Sequence, residues 1–210
     1  MNSIVDKLNW RYATKKFDSS KKVSEEDLET LLEAARLTAS SYGLQPYEIY
    51  VIEDTNVRQK LRKASYDQPQ ITDASYLIVL ANKPTFNETM IDDYIANIMA
   101  IRGVSKKDLE GFSQTMKSTL LDLPDAYKNT WTSNQTYIVL GNLMTVASEM
   151  KIDTCPMEGF DKDKYNEILG LTDKDLNAAV VLAVGYRSAD DTTQHYPKVR
   201  YSKEQIITHI

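Results

Sequence analysis

Ala126-Tyr127-Lys128-Asn129-Thr130-Trp131-Thr132-Ser133-Asn134-Gln135-Thr136-Tyr137-Ile138-Val139-Leu140-Gly141-Asn142-Leu143-Met144-Thr145-Val146-Ala147-Ser148-Glu149-Met150 is the stretch on which the architecture turns. Its apolar positions, Tyr137, Ile138, Val139, Leu140, Leu143, Met144 and Val146, crowd too closely for a single stripe, so the helix they form is buried on most sides. That predicts a central or interface helix. Downstream, Ala178-Ala179-Val180-Val181-Leu182-Ala183-Val184-Gly185 is a continuous apolar run of strand length, which predicts a buried strand. Between the two lie a short strand around Ile152 to Cys155, a turn over Pro156 to Phe160, and a helix from Asp163 to Leu169 closed by Gly170.

Upstream, helices and strands alternate. Ser3 opens a short helix through Ile4, Val5 and Leu8 that stops near the basic run Arg11 to Lys16. Ser24 is an N-cap with Asp27 three residues on, and Val23 staples to Leu28 ahead of Leu31, Leu32 and Ala35. The loop Ala39 to Pro46 follows, then strand Tyr47 to Ile52, a helix from Thr55, the polar loop Tyr66 to Gln70, and a strand from Ser75 to Ala81. Residues 87–121 carry two helical stripes with a break at Gly103 and a new cap at Ser105, a helical excursion. A polar arm over residues 187–210 ends in a capping box, Ser202 to Gln205. Strands scattered among helices, without an internal repeat or low-complexity linker, give an α+β plan of three α/β/α layers. One unit over residues 1–210 is expected.

Composition narrows the function. The 210 residues are 42% apolar and 26% charged, which suits a globular core. Twenty-five Lys and Arg against 30 Asp and Glu leave a net charge of -5, which argues against a general nucleic-acid or anionic-membrane surface. Ala178 to Val184 is far short of the roughly 18 apolar residues that span a bilayer, and Met1 to Trp10 lacks a signal-peptide core. With a single cysteine, Cys155, the cytoplasm is the expected compartment. His195 and His209, the only histidines, lack metal-ligand spacing, so no metal is expected. No Gly-x-Ser-x-Gly elbow, Gly-x-Gly-x-x-Gly fingerprint or Walker loop occurs. Cys155, flanked by apolar residues, reads as core rather than nucleophile.

Two basic clusters remain, Arg11 with Lys15 and Lys198 with Arg200, each beside a loop. Converging, they would hold a phosphate, because Arg forks onto phosphate oxygens while Lys adds point charge. Solvated surface charge explains the same spacing, and the residues alone leave both readings open.

In order along the chain, five blocks resemble the nitroreductase family of flavin mononucleotide (FMN) enzymes, particularly the oxygen-insensitive NAD(P)H nitroreductase and dihydropteridine reductase subgroup. They are Arg11-Tyr12-Ala13-Thr14-Lys15-Lys16-Phe17-Asp18, the loop from Ser40-Ser41 to Gln45-Pro46, Asp73-Ala74-Ser75, Pro156-Met157-Glu158-Gly159-Phe160-Asp161, and Pro197-Lys198-Val199-Arg200.

The resemblance implies a mainly antiparallel sheet flanked by helices, in an intertwined homodimer that holds two FMN molecules at its interface. It implies cofactor contacts from Arg11, Tyr12, Ala13, Thr14 and Lys15, with Arg11, Lys198 and Arg200 on the phosphate and Lys15 on the pyrimidine edge. Asp67 would accept from flavin N3 and Gln70 would donate to O2. Gln135 falls on the ribityl or ring side. Ser40, Ser41 and Gly43 would pack on the flavin of the partner subunit, while Pro156, Met157, Glu158 and Gly159 would line the ring. The backbone amide of Glu158 or Gly159 would face N5, so no side chain acts as catalytic acid. Ala13 stands where relatives often have Ser, and Gly43 where some carry a larger polar residue, which would widen the pocket. Phe112 and Trp131 are candidates for acceptor-gating aromatics. The implied reaction is ping-pong hydride transfer from NAD(P)H through FMN to a nitroaromatic, quinone or other flat acceptor. A flavin or pteridine reductase, another dehydrogenase or a reductive dehalogenase of the same fold are rivals, as are a non-catalytic flavin-binding protein and a cofactor-free helical interaction protein.

Overall fold

The structure, a computed structural model, describes residues 3–210. Four strands form one antiparallel sheet in the order β1-β2-β4-β3, with β1 over Tyr47–Ile52, β2 over Tyr76–Asn82, β3 over Asp153–Met157 and β4 over Asn177–Gly185. The two central strands, β2 and β4, are buried almost throughout, which is why both read as unbroken apolar runs rather than as alternating ones.

Alternation of side chains across the sheet divides the core in two. Leu77, Val79, Cys155, Met157, Val181 and Ala183 point to one face. There they meet Leu61 of α3 (Thr55–Lys63), Ile71 of the short α4 (Gln70–Asp73) and Tyr165 of α8 (Lys162–Leu169). Ile78, Leu80, Val180, Leu182 and Val184 point the other way. They pack on Leu28, Leu31 and Ala35 of α2 (Glu25–Arg36) and on Val139, Leu140, Leu143 and Ala147 of α7 (Asp125–Glu149). The three layers expected from the sequence are therefore present, and the sheet is antiparallel throughout its four strands.

The helix ends follow their caps. Ser3 closes a capping box with Asp6 at the start of α1 (Ile4–Trp10), and the Ser24 hydroxyl accepts from the Asp27 N–H 3.1 Å away. Two boundaries differ from expectation. The turn expected over Pro156 to Phe160 begins later, because Pro156 and Met157 still pair with Leu182 and Val181. Proline is tolerated there because β3 is the terminal strand of the ladder. In addition, Gln70 starts a helical turn rather than ending a loop.

The excursion consists of α5 (Glu88–Arg102) and α6 (Glu110–Leu120), joined by a 3-10 turn over Lys106–Leu109. These helices bury a core of their own, Ile91, Ile95, Ile98, Met116 and Leu120, which Leu44, Phe86 and Trp131 connect to the body. The long helix α7 is only partly covered: its inner face is buried, but Tyr137 and Ile138 are exposed. No helix is long and apolar enough to cross a membrane among the described residues. The chain ends in a single turn, α9 (Lys203–Ile206).

Candidate functional site

After α1 the backbone turns extended and runs beside β3, where Ala13 bridges Thr154 in parallel and the Thr14 N–H donates to Thr154 O at 3.2 Å. This lays Arg11, Tyr12 and Ala13 along the outer edge of the sheet. From the far end of the sequence, Thr193 to Arg200 returns to the same edge. The two segments enclose a cleft of about 480 Å³ whose lining includes Arg11, Tyr12, Ala13, Met144, Pro156, Gln194, Lys198 and Arg200. Residues nearly two hundred positions apart thus form its two walls.

The cleft is cationic, and no carboxylate is among the residues that line it. Among the described residues, Arg11, Lys198 and Arg200 form no ion pair. Burial, and after it the like charge of Arg200, holds the Arg11 guanidinium below its ordinary value. Lys198 is lowered first by burial and then by Arg11 and Arg200. Lys198 Nζ is hydrogen-bonded to the carbonyl of Arg11. The Arg11 Nε is buried with no partner, as is Thr14 Oγ1 in the same segment. A buried, unpaired donor on a cation costs free energy unless something accepts from it. A phosphate dianion has the acceptors and the charge that this donor set lacks, so the residues fit one.

A residue without any motif organises the cleft. Asp191, 1% exposed, accepts from Tyr12 Oη at 2.8 Å, from the Lys15 N–H at 2.7 Å, from the Lys16 N–H at 3.1 Å and from the Thr193 N–H at 3.0 Å. Burial works to raise the pKa of this carboxyl, but the combined hydrogen bonds from Lys15, Lys16, Tyr12 and Thr193 prevail and hold it below the usual carboxylate range. The one available sequence signal was Asp191 two residues ahead of Thr193, an Asx-type start to the 3-10 turn Thr192–His195. Beside it, Arg187 lies over the rings of Trp10 and Tyr12, 4.3 and 4.5 Å from their centroids, and pairs with buried Asp153. Lys15 itself is exposed.

The block after Cys155 divides by strand alternation. Pro156 faces the cleft, whereas the side chain of Met157 turns into the core, so only its backbone remains available to a ligand. Tyr137 Oη donates to Glu158 Oε1 at 2.8 Å, and Gly159 O accepts from Gln68 Nε2 at 2.8 Å. Asp67 is exposed in the left-handed region at φ 58°, and Gln70 is buried with its Oε1 unpartnered. Gln68, not singled out from the sequence, thus reaches the ring-side block.

A third group is built on the loop Ser40 to Gly43. The Ser41 N–H donates to Gln135 Oε1 at 2.8 Å, and Gln135 Nε2 donates to Trp131 O at 3.0 Å, so Gln135 anchors the loop to α7. Gly43 sits at φ 76°, and the hydroxyl of Tyr94 on α5 fills the space beside it where a β-carbon would stand. The space freed at Gly43 is therefore occupied, not added to the pocket. Phe112 lies against Tyr42 with ring centroids 6.3 Å apart, while Trp131 packs on Phe86 at 5.7 Å. This third group does not line the phosphate-sized cleft of its own chain.

Cys155 is buried in the core with its thiol raised by burial, against weaker opposing effects of Lys15 and Arg11. Among the described residues no cluster of His, Cys, Asp and Glu could hold a metal ion.

Comparison with known proteins agrees with the fold. The family model described as the nitroreductase family matches residues 8–186. A Staphylococcus haemolyticus protein provisionally named an NAD(P)H nitroreductase is 38% identical, covering 98% of this chain and 96% of its own. Among solved structures, a nitroreductase-like protein of Streptococcus mutans superposes with a TM-score of 0.86 at 21% identity, covering 100% and 99% of the two chains. A protein of Exiguobacterium sibiricum, provisionally a nitroreductase and solved in complex with FMN, gives 0.83 at 21% identity, covering 100% and 98%. With its match over most of the sequence and its full-length relative, this chain belongs to the nitroreductase family of oxidoreductases.

Proposed function

We propose that the chain is an FMN-dependent NAD(P)H oxidoreductase, working as a homodimer and reducing small flat acceptors such as nitroaromatics or quinones. The observation that carries this reading is the meeting of Arg11, Lys198 and Arg200 at one cleft with no carboxylate to neutralise them and a buried Arg11 Nε left free. In that cleft Arg11 and Lys198 hold the phosphate, with Arg200 adding charge at the rim. Lys15, beside Asp191, serves the pyrimidine edge, with Asp67 and Gln70 as its polar companions. Ala13 and Thr14 lend backbone. When bound, FMN supplies the two-electron carrier, first for the nicotinamide and then for the acceptor in the same space. The chain contributes the backbone amide of Glu158 or Gly159 as a donor toward N5, steadied by the Tyr137 bond, and Pro156 as a wall.

The homodimer is supported by what one chain leaves uncovered. Ile4, Val5 and Leu8 on α1, Tyr137 and Ile138 on α7, and Tyr196, Val199, Tyr201 and Ile206 on the arm are all exposed. Ser40, Ser41 and Gly43, which lie apart from the cleft of their own chain, are then free to serve the partner's flavin. The whole chain acts as one such unit, with the excursion beside the acceptor space.

The test is direct. Purified protein is expected to be yellow, to release FMN on denaturation, to bleach with NADH or NADPH without oxygen and to recover with menadione. A colourless protein that takes up no FMN ends the proposal. Flavin that binds but is not bleached by either nucleotide makes it a flavin-binding protein without turnover. Full flavin occupancy in Arg11→Ala/Lys198→Ala at low FMN would remove the phosphate assignment.

A further inference from the structure

We propose that Asp191 is the positioning residue of the phosphate grip, a buried carboxylate that locks the segment carrying Arg11 to the segment carrying Lys198. This rests on the reading of the cleft as an FMN phosphate site. Besides the Lys198 bond to the Arg11 carbonyl and the Ser188 N–H that donates to Lys16 O at 2.9 Å, the polar bonds between the two segments gather on Asp191. Asp191 takes Tyr12 Oη and the Lys15 and Lys16 N–H groups on one oxygen, and the Thr193 N–H on the other. Its own carbonyl accepts from the Gln194 N–H at 3.2 Å and from Gln194 Nε2 at 2.9 Å, which shapes the turn leading to Lys198. Four donors on one carboxylate, three of them backbone N–H groups that cannot accept, suit an ionised aspartate; an amide would turn its NH2 against a backbone N–H in either orientation.

Charge alone predicts the opposite effect. An anion beside a dianion site repels it, so an Asp191 that merely happened to lie nearby would weaken FMN binding. The geometry points to positioning as the larger effect. Without the carboxylate, three backbone N–H groups and a hydroxyl lose their partner, and the arm bearing Lys198 and Arg200 is held less firmly to the Arg11 wall.

The experiment compares affinities for FMN and for riboflavin, which lacks the phosphate, by flavin fluorescence quenching in wild type, Asp191→Asn, Tyr12→Phe and Arg11→Ala. Asp191→Asn is expected to weaken FMN at least about ten-fold, the size of a lost charge-assisted bond, and riboflavin less than about two-fold. Equal loss for both ligands marks Asp191 as general scaffolding and overturns the proposal, as does tighter FMN binding. If Asp191→Asn does not fold, Tyr12→Phe carries the test. It removes one of the four donors, and an unchanged FMN-to-riboflavin ratio overturns the proposal. A wild type that does not distinguish FMN from riboflavin, with Arg11→Ala affecting neither, shows instead that the phosphate reading is wrong. Discrimination lost in Arg11→Ala but kept in Asp191→Asn removes only the role of Asp191.

Discussion

Tyr137 Oη donates to Glu158 Oε1 at 2.8 Å, so the middle of the long helix α7 is tied to the first residue after strand β3. Burial, with help from the Glu158 carboxylate, pushes the Tyr137 hydroxyl up to about 12. A raised folded value means that the bond's contribution is complete below the ordinary tyrosine value and is lost as pH rises through about 12. Tyr137→Phe is therefore expected to slow flavin reduction several-fold in stopped-flow traces at neutral pH, with FMN affinity unchanged. A loss in affinity instead of rate would place the bond in binding.

Gly43 and Tyr94 form a second dependent pair. Gly43→Ala meets both a positive φ and the Tyr94 hydroxyl, and is expected to destabilise by about 1–3 kcal/mol. Tyr94→Phe removes the hydroxyl but leaves φ untouched. The double variant should recover part of the loss in a urea-unfolding cycle, whereas strict additivity would show that the hydroxyl does not restrict position 43.

Lys198 links affinity to pH. Its ammonium lies below the ordinary lysine value through burial first and the neighbouring Arg11 and Arg200 second. Since the folded value is depressed, the charged form is disfavoured by the fold, and stability from this group is regained as pH rises past that value. A phosphate reverses the balance, so FMN binding should take up a proton and weaken as pH climbs through the depressed value. Calorimetry in two buffers of different ionisation enthalpy should show this uptake in wild type and not in Lys198→Met. Equal uptake would assign it elsewhere.

Burial raises the Cys155 thiol, so the nucleophilic thiolate is suppressed at neutral pH. Native protein is expected to react with a disulfide reagent orders of magnitude more slowly than denatured protein. Cys155→Ala should retain flavin and turnover at a cost of about 1 kcal/mol in stability. Lost turnover with flavin retained would give the thiol a chemical role.

Arg58, 5% exposed on α3, donates to the carbonyls of Ile71, Ala74 and Ser75 and so ties α3 to α4 and to the link that leads into β2. Arg58→Ala strands these buried acceptors and should cost about 3 kcal/mol or more, measured by chemical unfolding.

The sequence made the elements with strong periodicity readable: Tyr47–Ile52 was found at its true ends because Pro46 and the helix opening at Thr55 bracket it, and α7 was found by its crowded apolar positions, although one chain leaves Tyr137 and Ile138 uncovered. Pro156 misled, since a proline suggests a turn unless the strand is known to be terminal, which only the strand order reveals. The cations were legible as residue types, but their convergence was not, because Arg11 and Lys198 meet only after the arm folds back. Asp191 was hidden for the same reason: its Lys15, Lys16 and Tyr12 partners lie 175 to 179 positions away. Gln68 lay in a polar loop like any on a surface, and Tyr94 lay in an apolar helical stripe that marks packing without marking a partner.

The separate small core of α5 and α6 has an evolutionary corollary. Substitutions at Ile95, Ile98 or Met116 perturb a local nucleus and leave the packing on either side of the sheet intact. The lineage can therefore remodel what the helical flap greets without renegotiating the scaffold beneath it, and amide exchange should find that flap opening well before the strands do.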